Sequence, residues 1–330
     1  MATLNEFPEF LLEKTGLWTT NKNSIVDDIN DGRLNRLSFR INPATKVIER
    51  YEVKVVHNNK AYNYGQKIME PKVGIVVPTL GTRASLLNQT LKSIRSAGVC
   101  HITIVSPNKM DLITEIDLNM FDQWVQDPMQ GLAEAINTGV KSMPTSVIYF
   151  NWLGDDDTLA VGSLKQSSRV LDENSKCVCV FGKCQYMNKS GEPIWMNKSG
   201  KFAVPLLRFG PQLIPQPGSL FRRESFDAVG GLNTDYKLAF DLDLLINLSK
   251  VGKIQYIPTQ LSSFRWHDDS LSVSRRWISV SEAKKIRQLA LPKIIQPFSQ
   301  VWEYPLSYLI YYAGTALTKM EKNLISNRGL

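Results

Sequence analysis

The 330-residue chain has only four cysteines and no internal repeat or low-complexity tract. No apolar run reaches the roughly 18–20 residues needed to cross a bilayer. Each shortage closes a class. Four cysteines make no disulfide framework, and the Cys179-to-Cys184 spacing matches no zinc pattern. Cys177 and Cys179 alternate with Val178 and Val180, which is strand periodicity, so both are expected on one face of a sheet. Met1 to Lys14 carries Glu and Phe instead of a basic start and an apolar core, so no secretory leader is expected there. The expectation is a soluble, cytoplasmic chain, at most peripheral at the inner face of a membrane.

What is present is ordinary globular material, 43% hydrophobic and 21% charged, enough for one large domain with additions or for two domains. The net charge of +8 is unevenly spread. From Leu271 onward nine bases face three acids, Glu282, Glu303 and Glu321. The excess lies beside the aromatic stretch Val301 to Tyr312. Basic residues next to Trp and Tyr suit an interfacial segment on an anionic membrane. A carboxy-terminal helix packed on its own domain or on a second copy of the chain suits the same residues equally. No recognisable nucleic-acid module interleaves with the charge, so nucleic acid is not an expected partner.

Three regions are expected. Residues 1–70 form an amino-terminal extension: Leu37, Phe39 and Ile41 alternate with polar residues, Asn42 to Thr45 signals a turn, and Val47 to Val56 is rich in strand formers. This reads as a small antiparallel hairpin unit with a helical amino end. Residues 71–270 open with a buried strand, Val73 to Val77, followed by a helix with Leu87, Leu91 and Ile94 on one face and Gly98 as its stop. A strand from His101 to Val105, a helix from Gly131 to Gly139 and a buried strand from Val147 to Trp152 come next. A helix over Leu164 to Leu171 and a strand over Cys177 to Phe181 complete the pattern. Alternating strands and helices predict an α/β fold with a mostly parallel sheet covered on both faces. Residues 271–330 are a helical, basic and aromatic carboxy-terminal segment.

The densest chemistry is the run Asp155-Asp156-Asp157, placed by Gly154 at the exit of the Val147–Leu153 strand. Three adjacent carboxylates repel one another unless a cation or solvent compensates them. Open α/β sheets hold ligands at the carboxyl ends of their strands. A hard divalent ion carrying phosphates is a natural occupant, and a solvated acidic turn capping the next helix is the plainer one.

The order of motifs resembles family-2 glycosyltransferases with the Rossmann-like GT-A fold. Pro78-Thr79 through Arg83 looks like that family's opening. Gly131 to Gly139 resembles its Gly-x-x-x-Ala-x-Asn-x-Gly helix, and Leu153 to Asp157 occupies the place of its acidic motif. Gln216 to Arg223 and Val229 to Leu232 resemble its acceptor-side segment, Phe240-Asp241-Leu242-Asp243-Leu244 its Glu-Asp-x-Asp-Leu, and Phe264-Arg265-Trp266-His267 its late Arg-x-His. The likeness covers about residues 72 to 270.

The resemblance implies a metal-dependent, inverting hexosyl transfer from a nucleotide-sugar, with UDP as the default, to a saccharide or lipid-linked acceptor, in surface polysaccharide assembly. It makes Asp241 the general base. Asp243 lies about 200° further round a helix and is read as structural. It puts Mn²⁺ or Mg²⁺ on Asp156 and Asp157, with His267 as a further metal or phosphate contact or a hydrogen-bonded structural residue. Pro78, Thr79, Arg83, Gly131, Asn137, Asp155 and Asp156 become the donor contacts, with turn or helix-cap chemistry as the plainer role for Thr79, Arg83, Gly131 and Asn137. Arg222 and Arg223 are candidates for diphosphate or an anionic acceptor, or else a solvent-facing pair. Two departures stand out: Gly154 replaces the first acid of the usual motif, and Ser106-Pro107-Asn108 replaces the Asp that reads the base in many relatives. The rivals are a non-catalytic sugar-binding or scaffold protein that keeps the fold, and a nucleotidyltransferase. The second would need a Gly-rich basic loop where residues 78–83 offer one Gly and one Arg.

Overall fold

The structure, a computed structural model, describes residues 34–41, 48–57, 60–67, 71–107, 116–266 and 275–326. The chain divides into two compact units, Met1–Glu70 and Pro71–Leu330. The first contains a three-stranded antiparallel sheet of β1 (Leu34–Ile41), β2 (Ile48–His57) and β3 (Lys60–Lys67), in that order. The helical amino end expected before it lies outside the described residues.

The second unit begins with β4 (Val73–Pro78), α1 (Ala84–Ala97), β5 (His101–Ser106), β6 (Gln123–Gln126), α2 (Leu132–Ser142), β7 (Tyr149–Trp152) and β8 (Thr158–Leu159). It continues through α3 (Ser163–Glu173), β9 (Cys177–Met187), β10 (Pro193–Asn197), α4 (Ala203–Leu206), β11 (Leu220–Arg222), α5 (Arg223–Ala228), α6 (Phe240–Val251) and β12 (Lys253–Arg265). The helices α7 (Arg276–Ala290) and α8 (Gln300–Ser326) close it. One sheet runs β6-β5-β4-β7-β11-β9-β12-β8, and β10 pairs with β9.

The sheet is mixed, so the expectation of a mostly parallel one is met in part. Parallel pairs join β4 to β5 and β7, β5 to β6, and β9 to β12. Antiparallel pairs join β11 to β7 and β9, β12 to β8, and β10 to β9. The helical crossovers α1 and α2 bring β5 and β7 in parallel to their neighbours. By contrast β11 arrives through residues 207–219, which hold neither helix nor strand, and enters in the opposite direction.

Both faces of the sheet are covered, and β4 shows why its apolar run is continuous. Val73, Ile75 and Val77 belong to a core with Leu87, Leu91 and Ile94 of α1, while Val76 belongs to the opposite core with Ile136 and Val140 of α2. Period-two alternation therefore buries side chains either way. The helix α2 lies so close to the sheet that a Cβ on Gly139 would sit 2.6 Å from Val76 Cγ1. Cys177 and Cys179 fall in different cores, against the expectation of a shared face. A register shift in β9 sets Cys177 opposite Lys253 and Cys179 opposite Ile254, so two steps on one strand match one on the other and the alternation is broken.

At the carboxyl end, α7 and α8 are tied by a fully buried ion pair. Arg287 Nε donates to Glu303 Oε1 at 2.9 Å and Nη2 to Oε2 at 2.7 Å. Tyr304, Tyr308 and Tyr312 form an exposed stripe along α8, with Lys284 Nζ 3.4 Å from the Tyr304 ring centre. No described helix is long and apolar enough to cross a membrane.

Removing one partner of a buried ion pair strands the other charge, at a cost of about 3–5 kcal/mol. Glu303→Ala is expected to lower the unfolding free energy by about that amount, and Arg287→Met combined with Glu303→Leu to recover most of it. Urea unfolding measures both. An unchanged midpoint in the single variant would show that the pair does not carry the hairpin.

Candidate functional site

The carboxyl ends of β4 and β7 lie side by side because the two strands are parallel neighbours. Thr79 follows β4, and the acids follow β7 across Gly154. Thr79 Oγ1 donates to Asp155 Oδ2 at 2.5 Å and accepts from the Gly81 N–H at 3.0 Å. Arg83 forks across two acids: Nη1 donates to Asp156 Oδ2 at 2.6 Å, and Nη2 donates to Asp155 Oδ1. Asp157 Oδ1 accepts the main-chain N–H of Arg265 at 2.8 Å, and its carbonyl accepts the Thr90 hydroxyl at the same distance. The Arg265 side chain is buried and grips main-chain oxygens: Nε donates to Asp156 O at 3.0 Å, and Nη1 to Lys189 O at 2.8 Å.

The acids are thus compensated by the chain itself. Burial still pushes the carboxyl groups of Asp155 and Asp157 above the usual aspartate range, against the pull of Thr79 and Arg83 on the first and of Arg265 on the second. For Asp157 the neighbouring Asp156 charge adds to the rise.

Asp241 stands in the first turn of α6. Phe240 meets Trp152 at 6.3 Å between ring centres, which docks the start of α6 against the carboxyl end of β7. Gln212 Nε2 donates to Asp241 Oδ2 at 2.7 Å, and the Leu242 N–H donates to Oδ1 at 2.8 Å. Burial nevertheless raises the Asp241 carboxyl above its ordinary value. Asp243 accepts from Asn247 Nδ2 one turn on, at 3.2 Å. The two acids have separate partners, as their angular spacing requires.

The start of α6 is held from outside. Glu282 of α7 accepts three successive main-chain N–H groups: Lys237 on Oε1, and Leu238 and Ala239 on Oε2, at 2.9, 2.9 and 3.0 Å. These donors belong to the turn into α6 and to its N-cap residue Ala239, and a carboxylate there fixes the turn and complements the helix dipole.

Other candidates have structural tasks. Asn137 spends its amide on Leu232, donating to its carbonyl at 2.9 Å and accepting its N–H at 3.0 Å. Gly131 precedes α2 at φ 103°, and a Cβ there would meet nothing within 4 Å, so backbone conformation is what asks for glycine. Arg222 donates to the carbonyls of Cys177 and Leu171, at 3.0 and 2.7 Å, and Arg223 to that of Pro144, at 2.9 Å. Both arginines pin the main chain rather than offering a solvent-facing or anion-binding pair. Pro78 ends β4, and His267 lies outside the described residues.

A divalent ion wants several oxygens converging on one point. Among the described residues no group of three His, Cys, Asp or Glu side chains does so. The guanidinium of Arg83 stands on the two acids that face the loop, and Asp157 is turned to Arg265. The described side chains therefore do not fit a ready metal cage at Asp156 and Asp157. Sequence reasoning missed Gln212, Glu282 and Lys189: each is a lone polar residue in a segment with no motif, and only the fold carries it to the site.

No family model matches the chain, and no curated protein sequence does. Solved structures do. A mannosyltransferase from Pyrobaculum calidifontis, in complex with GDP-Man and Mn²⁺, aligns with a TM-score of 0.51 at 13% identity, over 79% of this chain and 76% of its own. TarS of S. aureus aligns with a TM-score of 0.47 at 10% identity, over 76% of this chain and 55% of its own, so the chain spans little more than half of that protein. GalNAc-T7 with UDP, GalNAc and Mn²⁺ aligns with a TM-score of 0.47 at 14% identity, over 71% of this chain and 56% of its own. At these identities the likeness is one of fold. The chain has the GT-A fold, the mixed α/β architecture it shares with that mannosyltransferase.

A hydrogen bond to a charged group is worth about 1.5–3 kcal/mol, and Glu282 accepts three main-chain donors of the turn into α6, so Glu282→Ala is expected to cost about 2 kcal/mol. Glu282→Gln, which keeps one acceptor oxygen for Leu238 and Ala239, should lose less. Thermal unfolding of the two variants decides it, and equal stability of Glu282→Ala and the parent would contradict the anchoring role.

Proposed function

We propose that the chain is an inverting glycosyltransferase of the family-2 type, moving a sugar from a nucleotide-sugar to a hydroxyl of a saccharide or lipid-linked acceptor. The observation that carries this reading is the meeting of three features at one end of the sheet. These are the Thr79–Arg83 loop after β4, the Asp155–Asp157 run after β7, and the half-buried Asp241, docked there through Phe240 on Trp152. The GT-A fold supports the donor class: the mannosyltransferase it resembles was solved with GDP-Man.

In this reading Thr79, Arg83, Asp155 and Asp156 face the nucleotide diphosphate, and Asp241 faces the acceptor. Transfer is a single displacement. The acceptor oxygen bonds to the anomeric carbon as the bond from that carbon to the phosphate oxygen breaks. The acceptor proton passes to Asp241, and the nucleoside diphosphate departs with the bonding pair. One displacement inverts the anomeric centre. A base must be within reach of the hydroxyl and ionised, and a carboxyl raised by burial is a stronger base than an ordinary aspartate. Gln212 orients it without removing its charge.

The sign of the pH dependence follows. Asp241 works only when deprotonated, and its carboxyl titrates above the ordinary aspartate value. The rate should therefore fall as pH drops through that raised value, giving kcat/KM an acid limb displaced upward from a free carboxylate's. Asp241→Asn should abolish transfer, lowering kcat by at least about 10²–10⁴, while leaving donor binding intact. Equal loss of binding and turnover would remove Asp241 from the role of base. Nuclear magnetic resonance of the product gives the anomeric configuration, and retention would contradict the single displacement.

A further inference from the structure

The acids after β7 stand where a metal ion would be sought, yet a cation of the chain already spans them. Arg83 reaches Asp155 with one terminal nitrogen and Asp156 with the other. A guanidinium has five N–H donors. The fork onto the carboxylates uses two, and 39% of the Arg83 side chain is open to solvent. Its open side lines a cavity of about 460 Å³ whose walls also include Lys189, Arg265, Thr82 and Ser85. Arg83 and Lys189 therefore line one cavity, with the buried Arg265, which grips main-chain oxygens, in its wall.

Donors of the chain already occupy oxygens of these acids: Asp155 takes the Thr79 hydroxyl and Arg83, Asp156 takes Arg83, and Asp157 takes the Arg265 N–H. Position 154 is a glycine and supplies no acid. A Cβ on Gly154 would lie 3.1 Å from both Asp156 Oδ1 and Asp157 Oδ2, and a carboxylate beyond it would add a fourth charge to the run.

We propose that Arg83, with Lys189 and Arg265 on the same cavity, takes the place of a divalent ion in binding the diphosphate of the nucleotide donor. A metal held by these acids would supply positive charge to phosphate oxygens. Arg83 can supply it from the same place, with its fork on Asp155 and Asp156 and a solvent-open side on the cavity. Guanidinium matches phosphate oxygens in a planar, two-point geometry, and an ammonium adds a point charge. The single charge of Arg83 is less than a divalent ion carries. Lys189 from the β9–β10 turn and Arg265 from the end of β12 make up the difference. Arg265 is itself fixed by the carbonyls of Asp156 and Lys189. As the leaving diphosphate gains charge, cations already in place stabilise it without reorganising.

The inference rests on the glycosyltransferase reading and is separable from it. The test is isothermal titration of the full chain with UDP, GDP and dTDP, each in EDTA and again in Mn²⁺. One diphosphate is expected to bind with the same affinity in both. Arg83→Ala should weaken it at least about tenfold in EDTA, the loss of one charge-assisted pair, and Arg83→Lys should restore only part. Because Arg83→Ala strands two carboxylates, Lys189→Ala provides the second variant: it leaves the fork intact and should weaken binding several-fold. Binding that requires Mn²⁺, or that survives both alanine variants unchanged, would overturn the substitution and leave the transferase reading standing. Failure of every diphosphate in both buffers would overturn the two together.

Discussion

Three carboxylates at the end of a buried strand set the terms for the whole site. Carboxylates packed this closely must be compensated, because each raises the cost of ionising the next. The fold answers from two directions. Arg83 and Thr79 come from the loop after β4, and the Arg265 N–H from the end of β12. These two elements are far apart in sequence, and they meet at the acids. The same contacts fix the cavity mouth, so the compensation that stabilises the fold also shapes what can bind.

A second constraint governs the other side of the site. Asp241 stands at the start of α6, and the turn that leads into that helix presents three successive main-chain donors. Glu282 satisfies all three from α7. That helix is in turn anchored to α8 by the buried Arg287–Glu303 pair. The carboxy-terminal hairpin thus reaches the candidate base through a chain of charged contacts. A segment whose composition suggested a membrane or a partner chain also has this internal task.

Much of this was legible in the sequence. The strands β4, β5 and β7 and the helices α1, α2 and α3 follow from apolar periodicity and from glycine stops, because each buries a face whose spacing is local. The Asp155–Asp157 run and Asp241 were visible because unusual charge beside apolar runs is visible. The mixed sense of the sheet was not, since the direction of β11 depends on a loop with no pattern of its own. The split of Cys177 and Cys179 between two cores was hidden too, because a bulge is a property of the pairing and not of one strand. Asn137 and Gly139 matched a motif, yet their contacts explain the match by packing: one pins Leu232, the other lets α2 approach β4. Arg222 and Arg223 looked available for an anion, and the fold spends both on carbonyls. Gln212, Glu282 and Lys189 act only through three-dimensional placement, so no spacing announces them.

The most direct measurement is a crystal structure of the chain with the nucleoside diphosphate that it binds. The expected result is phosphate oxygens against Arg83 in the cavity shared with Lys189 and Arg265, at the carboxyl ends of β4 and β7, with Asp241 across an open space from the terminal phosphate. A diphosphate seated elsewhere on the molecule, or in that cavity with Asp241 walled off from it, would contradict the assignment of this end of the sheet as a transfer site.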